Sequence, residues 1–262
     1  REKDINWVRD NTKGFDCVVE ELSDAYTQLA IQGPRAHEVL QKLTAANLAA
    51  IKNYWFTHGT VCGLMNTLIA RTGYTGEDGF EIYVPSDVAT SEMVWNKMIE
   101  AGREFGIIPC GLGARNTLRL ESKMALYGHE ISDKINVWEA GLDRYCKMEK
   151  GDFIGRGALE RAKAAGLKRA LVGLEMVDRG IARDEYCCCD EAGNAIGVIT
   201  SGSPSPTLCK NIALAYVPPA MTAIGTPIYV QIRAQKCKAQ VVATPFYKRP
   251  KKAAAPQAAA NV

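Results

Sequence analysis

RTGYTGEDGFEIYVP, residues 71–85, holds three glycines, three acids and two tyrosines in one short run. Read with the period of two that a strand imposes, Phe80, Ile82 and Val84 share one face and belong to a core, while Glu81 and Tyr83 share the other. Glu81 therefore stands on the second face, which is either solvent or the wall of a cavity. Gly73, Gly76 and Gly79 permit a tight loop whose backbone can approach a partner closely. Their order is not the G-x-G-x-x-G of a dinucleotide site, so a phosphate reading is set aside. A carboxylate with a tyrosine seven positions earlier can hold a planar, amidine-like ligand edge by paired hydrogen bonds. The competing reading is a solvated strand glutamate beside a turn.

Around this stretch the chain has 262 residues, 47% hydrophobic and 23% charged, with a net charge of +3. That is the composition of a globular protein with a sizeable core, and it does not demand a nucleic-acid partner. No apolar run approaches the ~20 residues that cross a bilayer. Nine cysteines occur without a C-x-x-C pair, and an odd count cannot be fully paired within one chain. In an extended Cys187–Cys188–Cys189 triplet, neighbours point to opposite faces, a poor metal geometry. Free thiols in a reducing compartment and no metal are expected. The chain opens on Arg1 without a basic-apolar signal pattern, which suggests removal of an upstream segment or a fragment.

The remaining pattern is mixed α and β. Residues 15–33 read as strand, turn, strand, followed by a helix with Pro34 at its first position. Residues 61–72 and 80–85 read as two hairpin strands joined by the glycine-rich loop. A helix capped by Ser86 or Asp87 follows, with Val88, Val94, Trp95, Met98 and Ile99 on one side. Another begins near Gly113, and a third ends at Gly166. Beyond Lys168 come short strands (ALVGLEM, NAIGVIT, NIALAYV, PIYVQIR and AQVVAT) separated by turn residues, as in a small barrel or sandwich. The tail KRPKKAAAPQAAANV, residues 248–262, is low in complexity, and 251–262 is expected to be disordered. Its KRPKK run reads as a solubilising end rather than a nucleic-acid contact.

Arg115 and Arg119 lie four apart on one helix face, where like charges repel and an anion would relieve them. A salt bridge to a distant acid is the plainer alternative. His37 in a helix, His58 near a turn and His129 in LYGHE lie far apart in sequence and do not suggest catalysis.

GYTGEDGFEI and GLGARNTLRLESKMALYG, followed in order by DFIGRGAL, LVGLEM, GVITSGSPSPTL and NIALAYVP, resemble the T-protein family of the glycine cleavage system, the aminomethyltransferases. The resemblance implies an α+β, three-domain cloverleaf folate-binding fold with a C-terminal β-barrel, lacking roughly its first hundred residues. On that basis residues 1–107 supply part of the first domain with a short remnant of the second at its start. Residues 108–170 supply part of the second, and 171–250 supply the barrel. The implied activity moves the one-carbon unit from the aminomethyl-lipoyl arm of H-protein to tetrahydrofolate, with release of ammonia. By the same resemblance Glu81 grips the pterin, and Tyr74, Arg115 and, by looser local matching, Arg183 contact folate. The family's catalytic aspartate matches no acid here and would lie upstream, so this chain alone is expected to be inactive. The residue after the G-L-x-A-R arginine is usually aspartate in the family; here it is Asn116, which implies a lost ion pair and a looser Arg115 or Arg119. The implied partners are H-protein and tetrahydrofolate, with no nucleic acid and no membrane. The compartment would be the mitochondrial matrix in a eukaryote and the cytoplasm in a bacterium. The alternatives are a folate-binding protein, a folate-dependent demethylating oxidase or dehydrogenase domain of the same fold, or an inactive fragment.

Overall fold

A computed structural model describes residues 1–250; the disordered tail expected over 251–262 lies outside the described residues. Internal contacts divide the chain into two compact units, one formed by Arg1–Gly73 and Glu77–Pro109, the other by Tyr74–Gly76 and the chain from Cys110 onward.

The first unit is built on a four-stranded antiparallel sheet. Its strands are β1 (Tyr26–Gln32), β2 (Phe56–Val61), β3 (Leu64–Ala70) and β4 (Gly79–Pro85), in the order β1-β4-β3-β2. The period-two reading of β4 holds: Phe80, Ile82 and Val84 are fully buried, while Glu81 and Tyr83 are half-buried. Helices α2 (Ala36–Gln41) and α3 (Val88–Gly102) cover the apolar face through Val39, Leu40, Val94 and Met98. Of the two candidate caps it is Asp87 that accepts from the Thr90 N–H, satisfying one of the unpaired donors of the first turn. The apolar stripe of α3 is narrower than its sequence suggests, because Val88 and Trp95 are exposed.

Four local readings are corrected. The strand expected over 61–72 is broken by a two-residue turn: Cys62 and Gly63 both take positive φ, 54° and 93°, the twist that closes a tight hairpin from β2 into β3. That hairpin also places His58 within β2 rather than near a turn. Residues 15–22 form no strand, because they find no ladder partner and leave Phe15 and Val18 exposed. Pro34 precedes the helix, whose N-cap is Arg35. A further helix, α1 (Glu2–Asn11), has no buried residue.

In the second unit, β5 (Ala170–Met176), β6 (Cys187–Cys189), β7 (Ala195–Ser205), β8 (Lys210–Val217), β9 (Pro227–Ile232) and β10 (Gln235–Val242) close into an antiparallel barrel of order β10-β5-β8-β7-β6-β9. Closure removes the exposed strand edges that would invite association. Leu120 on α4 (Leu112–Glu121) packs with Ile212 and Leu214 of β8. A fifth helix, α5 (Arg156–Ala164), precedes the barrel in the chain.

The barrel sets tight limits at single positions. A Cβ added at Gly202 on β7 would lie 1.7 Å from the Ala182 carbonyl oxygen, a backbone atom that cannot swing aside, whereas one at Gly111 meets nothing within 4 Å. Gly202→Ala is therefore expected to destabilise the protein by about 2–4 kcal/mol in a denaturant titration, while Gly111→Ala stays within about 0.5 kcal/mol.

Candidate functional site

Glu81 occupies a central strand, opposite Ala30 on β1 and Ala70 on β3. These two methyl-sized neighbours leave space around the carboxylate on its face of the sheet. One carboxylate oxygen, Oε2, accepts a hydrogen bond from the Thr72 hydroxyl; Oε1 has no hydrogen-bond partner among the described residues. Tyr83, two residues on along the same face, has its phenol pushed up, first by burial and then by the Glu81 charge. A half-buried carboxylate with one open oxygen suits a ligand that offers N–H donors.

The loop that precedes β4 is fixed by charge and by shape. Arg71 makes a two-pronged bridge to Asp78, with Nε and Nη2 donating to Oδ1 and Oδ2 at 3.0 and 2.7 Å, and its Nη1 donates to the Ile51 carbonyl. Both partners are largely buried, so the planar guanidinium fixes geometry as well as charge. A Cβ at Gly73 or Gly79 would meet the end of the Gln32 side chain at 1.9 or 2.6 Å, so that side chain would have to swing aside. That amide in turn donates to the carbonyls of Thr72 and Phe80.

In the second unit, the Arg115 guanidinium lies 4.4 Å from the centroid of the Tyr74 ring. A cation over an aromatic face is attracted by the ring while its N–H groups can still donate elsewhere. The Tyr74 hydroxyl donates to the Ala125 carbonyl, and Ser122 Oγ donates to the Thr75 carbonyl at 3.1 Å. Gly76, with φ of 79°, meets the same serine, because an added Cβ would sit 2.0 Å from its Oγ. Burial pushes the Tyr74 phenol up, opposed by the charges of Arg119 and Arg115.

Arg119 does not repeat the role of Arg115. It is 1% exposed and paired at 2.9 Å with Glu130, which is fully buried. Arg119 Nε and Nη2 donate to Asn116 Oδ1 at 2.9 and 2.6 Å, and Nη2 also donates to Ser201 Oγ at 2.8 Å. Glu130 accepts from the Leu126 N–H and the Thr200 hydroxyl, so both charges are fully hydrogen-bonded. The acid that balances the helix is thus eleven residues away in the chain. Asn116 does not leave the arginine loose: its neutral carbonyl oxygen receives two of the N–H groups.

Arg183, after β5, is exposed and lines an open cleft of about 690 Å³ on the barrel together with Arg179, Arg233, Tyr186 and Asn211. Of the four residues singled out from the sequence, the structure joins Tyr74 and Arg115 by direct contact. Glu81 is carried by the first unit. No hydrogen bond or ring contact among the described residues links Arg183 to the Tyr74–Arg115 pair. Thr72, Glu130 and Ser201 were not anticipated; each becomes visible only once strand register and chain reversal bring it to its partner.

Two families match this chain. The GCVT N-terminal domain covers residues 1–150, and the Glycine cleavage T-protein C-terminal barrel domain covers residues 169–248. The chain belongs to the glycine cleavage T-protein family. Among its T-protein relatives, an aminomethyltransferase of Acidobacterium capsulatum is 66% identical over 255 residues, which is 97% of this chain and 68% of that protein. One from Koribacter versatilis is 64% identical over 252 residues, 96% of this chain and 66% of that protein. The crystal structure of glycine cleavage system aminomethyltransferase T from Bartonella henselae superposes with a TM-score of 0.85 at 31% identity, covering 94% of this chain and 66% of that one. The chain thus spans about two thirds of the length of the T-proteins it matches, and the mixed α/β architecture with a closed barrel is theirs.

The Arg119–Glu130 pair generates a stability test. Arg119→Met leaves Glu130 buried without its cation and is expected to cost about 3–5 kcal/mol. Adding Glu130→Leu removes the stranded charge, so the double variant should be more stable than Arg119→Met alone by chemical denaturation.

Proposed function

We propose that this chain serves the transfer of a one-carbon unit from the aminomethyl group on the lipoyl arm of H-protein to tetrahydrofolate, with release of ammonia. Family membership supports this reading, and one observation carries it: Glu81 presents a half-buried carboxylate with one oxygen held by Thr72 and the other open. The 2-amino group and adjacent ring N–H of a pterin are donors that such a carboxylate accepts, and the negative charge makes each bond stronger than a neutral one. Tyr74 and Arg115 act as one planar unit, its guanidinium edge free to donate to an anionic part of the folate. Arg183, exposed on the barrel cleft, supplies a further cation.

The work asked of these residues is positional. Tetrahydrofolate brings the accepting amine; the protein holds it near the aminomethyl carbon and assists departure of ammonia electrostatically. No metal enters the proposal. The partition into domains over 1–107, 108–170 and 171–250 is proposed on the same footing. Among the described residues no helix is long and apolar enough to cross a membrane. Since the relatives named above are bacterial, we place the protein in the cytoplasm rather than in a mitochondrial matrix.

Calorimetric titration with tetrahydrofolate tests the assignment. Glu81→Gln keeps the size of the side chain but turns an acceptor toward the pterin's donors into an N–H group. Affinity is expected to fall by ~1.5–3 kcal/mol, with the melting temperature unchanged because Phe80, Ile82 and Val84 carry the packing. Equal affinity in the two proteins would return Glu81 to a solvated strand position. Arg115→Lys is likewise expected to weaken folate binding without a loss of stability, since a point charge cannot stack and donate as a planar fork does.

A further inference from the structure

Strand register lays out the face of the first unit's sheet that lies opposite α2 and α3 in rows. Ala30, Glu81, Ala70 and Phe56 form one row across β1, β4, β3 and β2, and Gln28, Tyr83, Leu68 and His58 form the next. Successive rows on one face are two residues apart, about 6.6 Å along the strand. Thr72 holds Glu81 Oε2 from the loop end of β4, whereas Tyr83 stands in the row on the other side of Glu81. Tyr83 is half-buried, and its hydroxyl has no hydrogen-bond partner among the described residues. The Glu81 charge acts on its phenol, which puts the two groups within electrostatic reach of each other.

We propose that Tyr83 is a second ligand-contacting residue of the Glu81 site, its ring walling a flat heterocycle and its hydroxyl donating to that heterocycle. The proposal rests on the folate reading of Glu81. Ala30 and Ala70 make the row around the carboxylate shallow, and Tyr83 and Leu68 rise beside it on the next. A ring system lying over the alanines with its N–H edge at Glu81 meets the tyrosine face, where aromatic pairs gain from offset or edge contact.

The polar chemistry of the two residues is complementary. An ionised carboxylate only accepts hydrogen bonds, so Glu81 serves the 2-amino group and the adjacent ring N–H of a pterin. The carbonyl oxygen that neighbours this ring N–H is itself an acceptor, and a carboxylate repels it. A phenol supplies the missing donor. Burial first, and the Glu81 charge second, push the Tyr83 phenol up, so it keeps its proton and donates. A site that pairs both the donors and the acceptor of one edge rejects heterocycles that lack that order, because its own polar groups would be left unpaired.

Calorimetric titration of the wild-type chain, Tyr83→Phe, Tyr83→Leu and Glu81→Gln tests this, each with tetrahydrofolate and with 6-methyltetrahydropterin, which keeps the heterocycle and has no tail. Tyr83→Phe is expected to weaken both ligands about fivefold, the scale of one hydrogen bond. Tyr83→Leu keeps an apolar neighbour for Leu68 and is expected to weaken both by about 30-fold, since ring contact and donor are lost together. The melting temperature of Tyr83→Phe should equal that of the wild type. Wild-type affinity for tetrahydrofolate in both Tyr83 variants, with a loss in Glu81→Gln, would overturn the role of Tyr83 and leave the reading of Glu81 standing. Unchanged affinity in Glu81→Gln would remove that reading and this proposal together. A loss confined to tetrahydrofolate, or a wild-type chain that does not bind the tail-less pterin, would also overturn it, because Tyr83 would then not be holding the heterocycle.

Discussion

The buried ion pair of Arg119 and Glu130 is the constraint around which the second unit is organised. A guanidinium and a carboxylate removed from water cost several kcal/mol each unless every donor and acceptor is met. Here the partners that meet them come from separated parts of the chain: Asn116 on α4, the Leu126 N–H, and Thr200 and Ser201 on β7. Satisfying the pair therefore fixes helix, loop and barrel strand together. The Tyr216 hydroxyl adds a further tie, donating to the Glu130 backbone carbonyl at 2.7 Å.

That arrangement separates the roles of two arginines that look equivalent in sequence. Arg119 spends its charge inside the protein. Arg115, one turn earlier, rests on the Tyr74 ring and keeps its N–H edge available. Since the Tyr74 hydroxyl is tied to the Ala125 carbonyl and Thr75 to Ser122, the residues next to Arg115 are held by the same stretch, 122–125, that follows α4. The carbonyl oxygen of the Asn116 amide accepts two of the Arg119 N–H groups, and Glu130 supplies the negative charge.

In the first unit the organising devices are a side-chain fit and an ion pair. Gln32 fills the space over Gly73 and Gly79, and the Arg71–Asp78 bridge spans the loop between them. The glycines thus shape the approach to Glu81 through the protein's own packing. Small neighbours on both flanking strands, Ala30 and Ala70, then leave the carboxylate room to act.

The sequence by itself determined the features that depend on local periodicity and local chemistry. Alternation assigned Phe80, Ile82 and Val84 to a core and set Glu81 and Tyr83 opposite them. Polar residues at the start of a helical pattern offered Ser86 or Asp87 as a cap, and short strands punctuated by turn residues announced a small barrel or sandwich. These properties rest on neighbours within a few positions, so they can be read before the chain folds. Tertiary structure alone decided which arginine is buried, because the acid that balances Arg119 is brought in by a chain reversal. It alone decided that Thr72 reaches Glu81, because strand register sets that contact, and that Cys62 and Gly63 turn the chain, because the twist of the strands they join demands positive φ there. Pairing, burial and register are properties of two segments meeting, and one segment cannot state them.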